Sequence, residues 1–227
     1  MRIIAFGCSN TFGHGLPDCW DDSKKEPLSN PSALAWPQKL AEALLCGCVN
    51  DSMCGMSNKW IFHRILKFDY DPDDIPCVMW SHHDRYTILK KPKRNGSDQF
   101  ETIGPWIENK INKAYFKSIY NEYDSIRMME IYMYASELHL RRLGLKSVQF
   151  YNGKYDDDKE RDFTDTNARN IGKFKNIAPM DMHRIKHRSE LALDNGHWGV
   201  DAHVEVAGEY YKVLDDDVKL ANIGKRK

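Results

Sequence analysis

The chain has 227 residues, 41% of them apolar and 29% charged, with 33 basic and 33 acidic side chains that leave no formal net charge. That length suits one large α/β domain and can bury a core without disulfide or metal staples. Charge balance gives no sign of the concentrated basic face that nucleic acid or an anionic membrane would need, and no stretch approaches the length of a membrane span.

Residues 2 to 7 form a short apolar run that reads as a buried first strand. The run is too short for a signal peptide, which places the expected protein in the cytoplasm. A polar, turn-rich insert follows from His14 to Pro31. Residues 35 to 45 set Trp36, Leu40, Ala43 and Leu44 on one helical face, with Pro37 tolerated in the first turn. Cys48-Val49-Asn50 reads as a second strand. Ser57 or Asn58 then caps a helix through Trp60, Ile61, Ile65 and Leu66. Pro72 to Pro76 reads as a break, followed by a third strand at Cys77 to Trp80.

From Lys90 to Ile107 the pattern is loop-like, and the Lys90-Lys91-Pro92-Lys93-Arg94 run reads as a solvated loop. Residues 111 to 143 predict one long helix, rich in aromatic and Met residues and closed by Gly144; those side chains read as core or lid packing. Ser147 to Tyr151 is a fourth strand. Residues 153 to 193 are polar and irregular, with a charged Asp156-to-Arg161 segment, and 199 to 214 predict a final helix. Alternating strands and helices predict a three-layer α/β/α domain around a parallel sheet, with insertions near 14–31, 90–143 and 153–193. Ligand sites in such sheets lie beyond the carboxyl ends of the strands.

Two clusters there carry chemistry. Gly7-Cys8-Ser9-Asn10-Thr11-Phe12-Gly13 sits where the first strand ends, so Ser9 is a candidate nucleophile, although a phosphate-binding turn or a helix cap shows the same pattern. Asp194-Asn195-Gly196-His197 precedes the last helix. A serine hydroxyl needs a base to take its proton, and the base needs a third group to hold its ring; Asp194 and His197 supply both from one loop. A helix start capped by Asp194 is the alternative. The six cysteines show no paired CxxC spacing, and reduced, partly buried thiols are expected. The residue before such a nucleophile points into the sheet, which disfavours Cys8 as the attacking group. The histidines His14, His82, His83, His197 and His203 show no fixed-spacing metal pair, so neither metal nor cofactor is expected. His203 fits a support of the active-site loop or a core position.

Ser9 within Gly-x-Ser-x-Thr-x-Gly, Gly55 within Asn50 to Asn58, and Asp194-x-x-His197 resemble, in order and context, the blocks of the SGNH/GDSL hydrolases. Those are flavodoxin-like α/β/α esterases, lipases and carbohydrate deacetylases. The resemblance touches residues 3–13, about 35–61, 77–85 and 194–207. Gly-Cys-Ser in place of Gly-Asp-Ser, with His203 and Ala207 beyond the last block, is similar to a divergent branch associated with bacteriophages, which would add the host cytoplasm or a virion as locations. The resemblance implies Ser9 as nucleophile, His197 as base and then acid, Asp194 as its orienting carboxylate, and the Ser9 and Gly55 N–H groups as oxyanion donors. It implies a small-molecule or carbohydrate ester as substrate, acyl transfer to Ser9, and no cofactor. Oligomeric state is left open.

The third block departs from the family. Where Gly-x-Asn-Asp is usual, the chain has Ser81-His82-His83-Asp84-Arg85, and His83 takes the asparagine's place. His83, Asn10 and Asn58 are candidates for the missing oxyanion donor, polar strand-end residues being the alternative, and Arg85 is placed to steer an anion. Losing a donor commonly costs about 10²–10³ in turnover. A catalytically weak structural or ligand-binding member of the same fold is therefore the rival to an esterase. Phosphate or nucleotide binding at the Gly7–Gly13 turn is weaker, for want of a P-loop lysine.

Overall fold

The computed structural model describes residues 1–91, 93, 99–152, 176–180 and 185–224. The Lys90-to-Arg94 run lies partly, and the Asp156-to-Arg161 segment wholly, outside them. Strands β1 (Arg2–Phe6), β4 (Gly47–Asn50), β5 (Asp74–Met79), β8 (Val148–Asn152) and β9 (Ile177–Met180) form one sheet in the order β4-β1-β5-β8-β9. Every neighbouring pair is parallel. Counted among themselves the strands run 2-1-3-4-5, the flavodoxin-like doubly wound order.

Alternate side chains of each strand serve opposite faces, as a pleated backbone requires. Ile3, Ala5, Cys77, Met79, Val148 and Phe150 pack against α2 (Trp36–Ala43) and the last helix, α6 (Val200–Gly224). Ile4, Phe6, Val78 and Trp80 pack against α3 (Asn58–Lys67) and α5 (Glu122–Arg142). The three-layer expectation holds. On the first face Trp36 stacks on Tyr210 with ring centres 4.2 Å apart, and the Tyr210 hydroxyl donates to the Val78 carbonyl at 2.7 Å. On the second, the buried Glu137 carboxylate accepts from Arg141, Ser147, Gln149 and Asn176, tying α5 to the starts of β8 and β9. Register between β1 and β5 is pinned by Arg2, which donates to both Asp74 oxygens at 2.9 and 2.6 Å.

Five stretches depart from the sequence reading, the first being β9, a sheet strand within the residues 153–193 expected to be irregular. The stretch read as one helix over 111–143 is two, α4 (Lys110–Ser118) and α5. Between them Asn121 is extended (φ −132°, ψ 121°) and accepts the Asp124 N–H; a short polar side chain that satisfies the backbone itself favours a new cap over continuation. At the edge of the region read as loop from Lys90, β6 (Tyr86–Lys90) pairs with β7 (Gln99–Ile103), which lies inside it, in an antiparallel hairpin. The first short strands of the polar insert, β2 (Trp20–Asp21) and β3 (Glu26–Pro27), also pair. Finally, β5 starts at Asp74, inside the expected break. Pairing of β5 with β8 begins only at Cys77, so Pro76 costs no ladder bond on that side. No helix among the described residues is long and apolar enough to cross a membrane.

Candidate active site

The sequence around Ser9 bends sharply because it has no side chain to prevent it. At Gly7 a Cβ would sit 1.9 Å from the Thr11 hydroxyl, so only glycine lets the chain fold back from β1 into the short helix α1 (Ser9–Phe12). Ser9 opens α1 and is 5% exposed. Its carbonyl accepts the N–H groups of Gly13 and His14 at 2.9 and 3.0 Å, which closes the turn. Asn50, at the end of β4, donates to the Thr11 carbonyl at 2.7 Å and fastens the second block to the first.

The Asp194 loop is built around one carboxylate. Oδ1 of Asp194 accepts the backbone N–H groups of Gly196 and His197, both at 3.1 Å. Oδ2 faces Nδ1 of His197 at 2.5 Å. That bond holds the ring with Nδ1 toward the acid and leaves Nε2 for a substrate or nucleophile. Burial alone would raise the Asp194 pKa, but the His197 bond and the two backbone donors outweigh it and hold the group below the usual carboxylate range.

Gly15 joins the two blocks across 178 positions. Its carbonyl accepts the Leu193 N–H at 2.9 Å, and its φ of +83° leaves room that a Cβ would fill at 2.6 Å from Asp194 Oδ1. His14 adds a second tie. Its ring stacks on His197, 4.4 Å between centres and 17° between planes, while Nε2 stands 3.6 Å from Asp194 Oδ2 and Nδ1 3.3 Å from Cys54 Sγ. Burial, then the charge of His197, depresses the His14 pKa, so it packs there as a neutral ring. His14 entered the sequence reading only among metal candidates. The signal for its present position was its place between two glycines of the turn.

A small cleft of about 40 Å³ opens at these strand ends, lined by Cys8, Asn10, Trp80, Ser81, His82, Arg85, Tyr151 and Trp198 among others. Residues flanking Ser9 and the residue after His197 thus share its wall. The Ser9 hydroxyl itself makes no hydrogen bond to His197 among the described residues. Neither the Ser9 nor the Gly55 N–H donates one within that set, and Gly55 sits at φ +75° in its turn.

The three candidates for the missing donor fare differently. His83 stands 3.7 Å from Glu122 and lines a separate cavity of about 360 Å³ between α3, α4 and α5, not the cleft. Its neighbour His82 lines the cleft instead, in the turn that follows β5. Asn58 is committed elsewhere: its amide donates to the Ser81 carbonyl and accepts the Ser81 N–H, at 3.0 and 2.7 Å. Asn10 lines the cleft with its Oδ1 buried and unpartnered. His203 is fully buried and accepts the Trp36 N–H at 3.1 Å, serving α2, whose N-cap Ala35 has no side-chain acceptor of its own.

His14, Asp194 and His197 present ligand atoms within 4.8 Å of one another, as a metal site would. Yet the 2.5 Å between His197 and Asp194 is a hydrogen-bond length, shorter than the ~3 Å or more between two atoms that share a zinc ion at about 2 Å each.

No family model matches the sequence, and no curated protein does. Solved structures do. A carbohydrate esterase whose active site has divergent catalytic and non-catalytic binding functions aligns with a TM-score of 0.58 at 8% identity, over 94% of this chain and 68% of the other. The acetyl xylan esterase Est2A from the rumen bacterium Butyrivibrio proteoclasticus aligns at 0.57 with 13% identity, over 96% and 64%. A protein assigned to the G-D-S-L lipolytic family, from Desulfitobacterium hafniense DCB-2, aligns at 0.50 with 12% identity, over 93% and 98%. The chain has the SGNH/GDSL-like hydrolase fold.

Proposed function

We propose that the chain hydrolyses small acyl esters, with Ser9 as nucleophile, His197 as general base and acid, and Asp194 as its orienting carboxylate. The observation that carries this reading is the Asp194–His197 bond on a loop docked against Gly15, six residues beyond Ser9. In the acylation step Ser9 Oγ attacks the ester carbonyl as Nε2 of His197 takes its proton. The same proton passes to the departing alkoxide, and water then cleaves the acyl-serine by the reverse relay. The Ser9 and Gly55 N–H groups receive the oxyanion, with Asn10 or His82 in the cleft as the third donor. Catalytic hydrogen bonds commonly tighten only with substrate in place, which accommodates the unbonded Ser9 hydroxyl.

The size of the cleft favours a short acyl group. About 40 Å³ holds on the order of three water-sized groups, the bulk of an acetyl. Structural neighbours that act on carbohydrate esters make an O-acetyl sugar the substrate class to try first. Fluorophosphonate labelling and release of p-nitrophenol from its acetate test the reading together. Wild type is expected to label at Ser9, and Ser9→Ala or His197→Ala to lose roughly 10⁴- to 10⁶-fold in turnover. Labelling that survives Ser9→Ala removes the nucleophile; a wild type that neither labels nor turns over ester supports a binding protein on the same fold.

A further inference from the structure

Among the described residues Arg85 is the one Lys or Arg lining the cleft at the Ser9 turn, and two of its guanidinium nitrogens, Nε and Nη1, are buried with no hydrogen-bond partner there. The chain's other inward-set arginines are treated differently. Arg2 grips Asp74 through two nitrogens, and Arg64 grips Asp51 at 2.9 Å through each of two. Arg85 instead lies over the Trp106 ring, 4.7 Å from its centre. Stacking satisfies the face of a guanidinium and leaves its in-plane N–H groups unspent. Buried donors without acceptors are uncommon in folded proteins because each forfeits its hydration. Two further polar atoms of the same cleft are buried and unpartnered, Asn10 Oδ1 and Ser81 Oγ. Arg85 also lines the neighbouring 360 Å³ cavity with Lys59, Tyr115 and Tyr132, so it stands between a pocket of acetyl size and a space of ligand size.

We propose that the substrate carries a carboxylate besides its ester, and that Arg85 receives it. This rests on the esterase reading for the ester and on Arg85 alone for the charge. A planar donor fork matches a carboxylate in shape. The cleft's own lining points the same way. Lys59 lines only the neighbouring cavity, together with Asp124, and is turned to the Tyr86 hydroxyl at 3.1 Å, which leaves Arg85 as the guanidinium shared by cleft and cavity. Asp84 is next in sequence, yet it forms no ion pair with Arg85 among the described residues, and its Oδ1 is likewise buried and unpartnered.

The test uses the full chain and defined probes. Binding of glucuronate, glucose and glucose 6-phosphate is titrated against wild type, Arg85→Met and Arg85→Lys, each checked for folding by thermal melt. Glucuronate is expected to bind roughly 10- to 100-fold more tightly than glucose. That ratio should collapse toward one in Arg85→Met and be partly restored in Arg85→Lys. In parallel, kcat/KM is compared for acetylated glucuronate and acetylated glucose. Equal or unsaturable binding of glucuronate overturns the proposal, and tighter binding of the sugar phosphate overturns its carboxylate assignment. The two readings separate cleanly. Hydrolysis through Ser9 with no preference for the acid sinks the anion site and spares the esterase; Arg85-dependent binding without Ser9 labelling does the reverse.

Discussion

The two helical layers of the sheet are built on different terms. In the α2/α6 layer, polar contacts run toward the candidate site: His203 of α6 accepts from the first turn of α2, and Tyr210 reaches the Val78 carbonyl. His203 lies six residues beyond His197, on the helix that follows its loop. In the α3/α5 layer, packing is chiefly apolar, through Trp60, Ile61, Met129, Met133 and Leu140, and buried charge is settled by Glu137 at the far strand. The difference teaches that one layer carries polar ties beside the proposed catalytic loop while the other is held mainly by apolar packing. Bridges cross that division: Gln149, a donor to Glu137, accepts from the indole of Trp80 in the cleft wall at 3.1 Å, and Asn58 of α3 holds Ser81 of the same wall through two bonds.

Substitutions can break this contrast, starting with the largest expected effect. Met133→Ala, at a position 1% exposed, should cost about 2–5 kcal/mol in urea unfolding yet leave activity per folded molecule intact. A matching loss of turnover would show that the α3/α5 layer also positions the site. For the other layer, pH is the probe. Burial pulls the His203 pKa from 6.5 to about 4, so between those values the unfolded chain binds a proton that the folded chain refuses. Stability should therefore fall as pH drops from 6.5 to 4, by about 3 kcal/mol, and His203→Gln should flatten that slope. An unchanged slope would locate the acid sensitivity elsewhere.

Gly15→Ala should act on turnover more than on folding, since its methyl would meet Asp194 Oδ1 and displace the loop. A loss of ~10²-fold is expected from misplacement on the order of 1 Å. A variant as active as wild type would mean the loop is held by other contacts. Tyr210→Phe is the smallest case, about 1 kcal/mol for the lost bond to Val78.

Much of the sheet was legible beforehand because parallel strands buried on both faces read as unbroken apolar runs. Ile3 to Phe6 and Cys77 to Met79 are of that kind. The hairpin of β6 and β7 was not, since Tyr86, Ile88, Phe100 and Glu101 are only partly covered and the lysine run beside them reads as loop. β9 holds Pro179 at a sheet edge, where proline is tolerated but hides the strand from view. Of the proposed site, Ser9, Asp194 and His197 were singled out by their resemblance to spaced family blocks, each local pattern being weak alone. His14 was not, because its partners His197 and Asp194 lie some 180 positions away and no local pattern encodes a ring stack. The exchange of His82 for His83 at the cleft is set by the turn after β5, which local spacing does not encode.

The Leu193-to-Gly15 contact also sets an order of events during synthesis. β1 lies between β4 and β5, so its second neighbour leaves the ribosome only after residue 79. The imidazole arrives more than a hundred residues later still. A chain stopped before residue 190 would hold all five strands of the sheet yet lack Asp194 and His197, so the proposed relay depends on residues made after the sheet is complete.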